Sequence, residues 1–387
     1  MKIPEYIACF SKRFLLIVII IIANNIFLSG CWDMVELEDR GFALGVALDK
    51  GEKEGEITVT YQIALPSKMY GEKGGEGKKV MNISTMAPNI SRANKQILAR
   101  MDKVLNLEHI QVLIFGEELA REGISDYIDF FVRDINMRRK THIIVSKGKA
   151  REAFDITPPT SLSTSQYISD IIRLNEERMQ RISTDVDLLK LSINIRERSD
   201  YLLTELTMGE DDITLSGAAV FKDNKLIGFL DADEVRKMKW FTSEITSATI
   251  IVKDVADMKD EVVFEAMNVD SRVVPVIQKD NVKFKLNIRI EGIVAEEKQL
   301  NYSNTHTQKF LSSLEKKVEE QIKKDCMEML NKAQHKFETD FFNLGHLVKQ
   351  YDARWWLENS NQWDDIFKTA TLDFEIEVYA RGIGLIE

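Results

Sequence analysis

Val282-Lys-Phe-Lys-Leu-Asn-Ile-Arg-Ile290 alternates apolar and polar residues without a break. Successive side chains of a strand point to opposite faces, so this period of two places Val282, Phe284, Leu286, Ile288 and Ile290 in a core. Lys283, Lys285, Asn287 and Arg289 are left in water. Downstream the period changes. Leu311, Leu314, Val318, Ile322, Cys326 or Met329, Ala333 and Phe337 recur at three- and four-residue steps, while Glu315, Lys316, Lys317, Glu319, Glu320, Lys323 and Lys324 fill the other face. That pattern predicts one long amphipathic helix. Phe374, Ile376, Val378 and Ala380 then alternate again, ended by Gly382. Upstream, residues 247–252, 261–267 and 273–276 read as strands. Residues 213–221 and 225–230 flank Lys222-Asp-Asn224 as a hairpin, followed by a short helix over 231–239. A run of strands, one long helix and a closing strand predict an α+β domain with a mostly antiparallel sheet.

The first half reads differently. Residues 41–48 form a strand, and Ile57, Val59, Tyr61 and Ile63 share one face of a second, half-buried one. Gly71-Glu-Lys-Gly-Gly-Glu-Gly-Lys-Lys79 departs from a phosphate loop, with Glu72 where a glycine is needed and Lys79 where Ser or Thr is needed. Asn89 or Ser91 caps a helix running to about Leu105, striped by Ile90, Ala93, Ile97 and Met101. A strand over 110–115, a helix over 117–131, a strand over 141–145 and a short helix over 149–154 follow. Two helical stretches are expected at 161–181 and from 184 to about 206. The polar, acidic Gly209-Glu-Asp-Asp212 marks the main boundary. The expected organisation is a signal segment (1–30), an N-terminal α+β region (31–207) open to further subdivision, and a C-terminal α+β domain (208–387). The fold class is multi-domain α+β, with mixed or antiparallel sheets packed with helices.

The amino terminus points to the membrane. Lys2, Lys12 and Arg13 precede an apolar run from Phe14 to Ala23, which Asn24 and Asn25 end. A spanning helix needs about 20 apolar residues, so the run reads as the core of a secretory signal. Leu28-Ser29-Gly30-Cys31 follows and resembles the lipobox of bacterial lipoproteins, in which the Cys becomes the first mature residue and carries diacylglycerol. Two acyl chains hold a protein stably where one does so only marginally. No later segment is long and apolar enough to span a bilayer, so the rest reads as a body tethered at Cys31.

Removing Lys2, Lys12, Arg13 and Glu5 with the signal takes the formal charge from −10 to −12. Such a body is a poor partner for nucleic acid. Its overall sign also opposes anionic headgroups, which leaves the lipid as the expected membrane contact. Cys9 departs with the signal and Cys31 is consumed by lipid, so Cys326 stands alone and reads as a buried small hydrophobe. His109, His142, His306, His335 and His346 lack metal-ligand spacing, and no Gly-x-Ser-x-Gly elbow occurs. No catalytic, cofactor or metal site is expected. Trp355, Trp356 and Trp363 cluster between the long helix and the last strand. They either close the core or offer an anchor to a partner subunit, since Trp is enriched at interface hot spots.

Several blocks together resemble the Ger(x)C family of spore germination lipoproteins, the C subunits of nutrient germinant receptors. They are Cys31-Trp32-Asp33 with Glu36-Leu37, Gly45-Val-Ala-Leu-Asp-Lys50, and Glu108-His-Ile-Gln-Val-Leu-Ile-Phe-Gly116. Phe131-Val-Arg-Asp134, Arg138 and Val145-Ser-Lys-Gly-Lys-Ala150 match the next block, and Gly217-Ala-Ala-Val-Phe221 with Lys225-Leu-Ile-Gly228 the start of the second half. Asp340-Phe-Phe-Asn-Leu-Gly345, the Trp-rich segment and Arg381-Gly382 match its end. Asn89-Ile-Ser-Arg-Ala93 departs from the family's Ser-Ile-x-Glu-Ala helix start. The resemblance implies an α+β fold, attachment to the outer face of the spore inner membrane through Cys31, and assembly with integral membrane A and B subunits. The complex would then sense a small nutrient, and no catalytic residue carries over. The alternative reading is a solute-binding lipoprotein of a transporter.

Overall fold

The computed structural model describes residues 39–65, 80–178, 186–242, 245, 247–256, 261–278, 281–297 and 308–383, with Phe14 alone ahead of them. The signal segment, Cys31 and its neighbours, the 71–79 loop and His306 lie outside the described residues.

The chain opens with β1 (Arg40–Lys50), β2 (Ile57–Ala64) and β3 (Val80–Ala87), then α1 (Ile90–Leu98) and the short β4 (Val104–Asn106). β5 (Val112–Gly116), α2 (Glu117–Glu122), α3 (Ser125–Arg133) and β6 (His142–Ser146) follow, then a 3₁₀ turn (Ala150–Asp155), α4 (Thr164–Arg178) and α5 (Leu188–Glu197). β7 (Tyr201–Met208), β8 (Ile213–Lys222) and β9 (Lys225–Leu230) complete a nine-stranded sheet ordered β3-β2-β1-β5-β6-β7-β8-β9, with β4 beside β1. Its centre, β1-β5-β6-β7, is parallel and its flanks are antiparallel. A parallel centre is buried on both faces. Ile90, Ile97, Phe131 and Leu188 cover one face, and Ala150, Ile168 and Ile172 the other.

A second layer system follows. α6 (Ala232–Met238) starts in a capping box between Asp231 and Glu234. β10 (Ala248–Val252), β11 (Val262–Gln278), β12 (Asn281–Glu297) and, after the helices, β13 (Thr371–Ile383) form a four-stranded sheet in that order. The first three strands pair antiparallel, whereas β13 joins β12 in parallel. α7 (Gln308–Asn331) lays Phe310, Leu314, Val318, Ile322, Cys326 and Met329 onto this sheet, then passes into a π-helical turn over Lys332–Phe337. α8 (Leu344–Tyr351), α9 (Ala353–Asn359) and α10 (Trp363–Thr369) close its end. The predicted α+β class, the alternating 282–290 strand, the buried Cys326 and the long helix with its closing strand are all present.

Five expectations need correction, the first being the helix expected to reach about Leu105, which ends at Leu98 before residues 104–106 pair with β1 as a strand. β2 is buried along its whole length, Thr58, Thr60 and Gln62 included: β1 and β3 pair with it on both edges, and Gln62 bonds Thr164 and Ser165 at the start of α4. The 117–131 helix breaks at Gly123, whose φ of 127° no helix accommodates. The helix expected from 184 to 206 ends at Glu197. Arg198 turns left-handed at φ 56°, and Tyr201–Met208 becomes a strand because β6 and β8 offer hydrogen bonds on either side. Residues 261–267 and 273–276 are one strand, since β12 pairs across the polar stretch between them. Composition changes near residue 208, yet hydrogen bonding continues there: Met208 pairs with Ile213, and the first sheet runs on to Leu230.

Candidate functional site

Of the places where such a fold can hold a ligand, the sequence fills one itself. Ligands of parallel sheets sit beyond the carboxyl ends of the strands. Here Asp49, at the end of β1, accepts Ala150 N at 2.7 Å through Oδ1 and Arg151 N at 2.9 Å through Oδ2. The helical turn after β6 thereby receives an internal carboxylate where an anion would otherwise dock. Burial raises the Asp49 pKa against the pull of those two N–H groups. Beside it, Lys147 pairs with the buried Glu205 at 2.7 Å.

A second place is a cavity of about 280 Å³ at the junction of the two layer systems. The chain delivers Asp200 from the start of β7, Lys222 from the end of β8, and Asp340, Gly345, Trp356, Trp363 and Asp364 from the segment between α7 and α10. Asp340 lies under α8: Oδ1 accepts Leu344 N at 3.0 Å and Oδ2 accepts Gly345 N at 2.7 Å, which satisfies two N–H groups of the helix start. Trp363 Nε1 donates to the same Oδ2 at 3.0 Å. A Cβ on Gly345 would stand 2.8 Å from Trp356 Cη2 and 2.9 Å from Trp363 Nε1, so only glycine lets both indoles approach. Lys222 pairs with Asp364 at 2.8 Å, and Glu197 with Lys349 at 3.2 Å.

Two carboxyls here are displaced toward neutrality. Burial pushes Asp340 up to about 7 although three N–H groups favour its anion. Burial and the negative charge of Asp364 push Asp200 up to about 7, with Lys222 opposing. The cavity can therefore take up or release protons near neutral pH.

The predicted residues are distributed unevenly about this cavity. Trp363 is 9% exposed and Trp356 half-buried, their rings 5.2 Å apart. Trp355 is also half-buried against the core. Exposure belongs to their neighbours: Tyr351 is 65% and Leu357 80% exposed. His109 packs edge-on against Phe42, and His335 meets the Asn331 carbonyl. Among the described histidines, His346 alone reaches the cavity, 3.5 Å from Glu197. No group of His, Cys, Asp and Glu able to hold a metal occurs among the described residues, and none of their helices is long and apolar enough to cross a membrane. Sequence reading missed Asp200 and Asp340 as site residues. The one available signal was Asp340 placed just ahead of a helix that starts Leu344-Gly345, a capping arrangement.

A family model described as "Spore germination protein N-terminal domain" matches residues 33–208, and one described as "Spore germination B3/ GerAC like, C-terminal" matches 216–384. Among characterised relatives, spore germination protein YndF of Bacillus subtilis (strain 168) is 25% identical, over 97% of this chain and 98% of that protein. Spore germination protein B3 of the same organism is 24% identical over 93% and 95%, and spore germination protein KC 24% over 96% and 96%. The crystal structure of the GerBC protein superimposes with a TM-score of 0.60 and 21% identity, covering 89% of this chain and all of that one. That likeness shows the fold.

Proposed function

Since the chain belongs to the GerAC-like family of spore germination proteins, we propose that it is the C subunit of a nutrient germinant receptor, lipid-anchored at Cys31 and acting through protein contacts. The observation that carries this is the ordered match of both family models along nearly the whole chain. The subunit works without catalysis of its own and sits on the outer face of the spore inner membrane beside integral A and B subunits, where the complex senses a small nutrient. Trp355, with the exposed Tyr351 and Leu357 near it, offers the amphipathic surface such a contact uses. A solute-binding role is less favoured, because Asp49 fills the position at the strand ends where a small ligand would dock.

Spores deleted for this gene provide the test, with dipicolinate release scored against several amino acids and sugars and calcium dipicolinate as the control. Loss of response to one nutrient set with an intact control supports the reading. A normal response to every nutrient, together with tight binding of one of them by the purified protein, overturns it in favour of solute binding.

A further inference from the structure

Apart from Phe14, the described chain begins at Asp39, on the end of the large sheet where its parallel strands start, and an exposed basic loop lies at that end. Arg40 pairs with Val104 across β1 and β4, and Asp39 lies 3.7 Å from Lys103. α1 and α3 both run back toward this end, which brings Leu98, Arg100, Ile135 and the loop Arg138-Arg139-Lys140 to it. The loop is held by its backbone: Thr141 N donates to the Arg138 carbonyl and Leu189 N to the Arg139 carbonyl. Its three side chains are exposed. Arg40, Arg100, Lys103, Arg138, Arg139 and Lys140 meet five carboxylates here, Asp39, Asp102, Glu108, Asp134 and Asp187, so the basic excess is concentrated in the exposed 138–140 loop. The opposite end of the sheet carries Glu52, Glu54, Glu56, Glu117, Glu118 and Glu122, interleaved with Lys50, Lys53, Arg121, Lys147, Lys149 and Arg151, of which Lys50 and Arg121 pair with Glu122 and Glu117.

Three large apolar side chains stand among the basic ones. Leu98 is 46%, Val104 52% and Ile135 93% exposed. Single exposed hydrophobics need no explanation, but three at the end that carries the basic loop of an acidic protein form an amphipathic surface. Seven residues lie between Cys31 and Asp39, eight steps of chain that reach at most about 28 Å when extended.

The geometry points to this end as a docking face for an anionic lipid bilayer, with Arg138, Arg139 and Lys140 over the headgroups and Ile135 entering between them. The inference rests on the proposed lipid anchor at Cys31, which brings this end to the membrane. Electrostatic attraction acts within about 8 Å at physiological ionic strength, so the local basic loop governs the contact although the whole body is acidic. The membrane contact is then oriented, with the opposite end and the second sheet turned toward solution and partners.

The full, lipid-modified chain in vesicles tests this. A fluorophore is placed through Ile135→Cys or, at the far end, Glu54→Cys, since Cys326 is buried, and lipids with headgroup-level quenchers are included. In vesicles of phosphatidylglycerol and phosphatidylcholine, quenching at position 135 is expected to exceed that at 54 at least threefold. The excess should fall at least twofold in phosphatidylcholine alone, in 0.5 M salt, or on joint Arg138→Gln, Arg139→Gln and Lys140→Gln substitution. The salt arm needs no substitution and so stands if the triple variant misfolds. Equal quenching at the two positions by protein that floats with the vesicles overturns the docking face and leaves the anchor standing. An excess indifferent to charge overturns the electrostatic basis. Protein that fails to float overturns the anchor and the face with it.

Discussion

At the scale of single residues, the cavity turns on Asp340, which joins a helix start to an indole. Trp363 is buried and its only polar atom is bonded, so Trp363→Ala is expected to cost about 3–5 kcal/mol, read by chemical denaturation. Trp355→Ala, at a half-buried position, should melt within a few degrees of the parent while weakening assembly with the proposed membrane subunits in co-purification. Unchanged assembly would remove Trp355 from the contact. Asp200 gives a prediction with a defined sign. Its pKa rises from 3.8 in the open chain to about 7 when folded, so between those values the folded protein holds a proton that the unfolded chain has released. Stability is therefore lost as pH rises through that window. Asp200→Asn should flatten the fall in melting temperature between pH 4 and 8 and melt higher than the parent at pH 8. An unaltered slope would contradict the assignment. The tryptophans were legible as a cluster from their spacing. Their division into buried and half-buried was not, because burial depends on what α8 and Gly345 bring against each ring.

At the scale of elements, legibility followed the purity of the period. The 282–290 strand and the long helix were readable because each shows one uninterrupted apolar face that a single partner covers. Leu314 sits at the centre of that helical face with no exposure, and Leu314→Ala is expected to cost about 2–5 kcal/mol through lost burial and a residual cavity. A loss below 1 kcal/mol in urea unfolding would show that the helix packs loosely on the sheet. Residues 201–208 show the opposite case. Their local pattern tolerates a helix, but a strand position pairs the buried residues 204–206 with β6 and the strand with β8 on its other side, and that requirement outweighs propensity. Gly123 likewise ends a helix that the apolar stripe alone would have continued.

At the scale of the whole molecule, the outer strands of the first sheet serve two cores. Ala219 and Phe221 face the helices of the first half, while Ala218, Val220 and Leu230 face the second sheet and α7. The two halves are thus packed through a shared sheet, and the acidic cavity lies on their seam. If the lipid concentrates this body beside its partners, Cys31→Ala should reduce nutrient-triggered dipicolinate release while the purified variant keeps its parent melting temperature. An unchanged response at normal protein level would show the lipid to be dispensable.

The chain by itself determined what local chemistry can encode: the apolar run before Cys31, the net negative charge, the α+β class and the blocks shared with a family. Each depends on residue identity or on a period of two or three to four, and neither needs a distant partner. The tertiary structure alone decided that Asp200 meets Asp340, that Asp49 stops the strand-end site, and that basic residues from three separate segments gather beside the start of β1. These are encounters between residues far apart in sequence. Only the register of the sheet and the packing of helices on it bring them together, and the same burial that makes the contacts sets their ionisation.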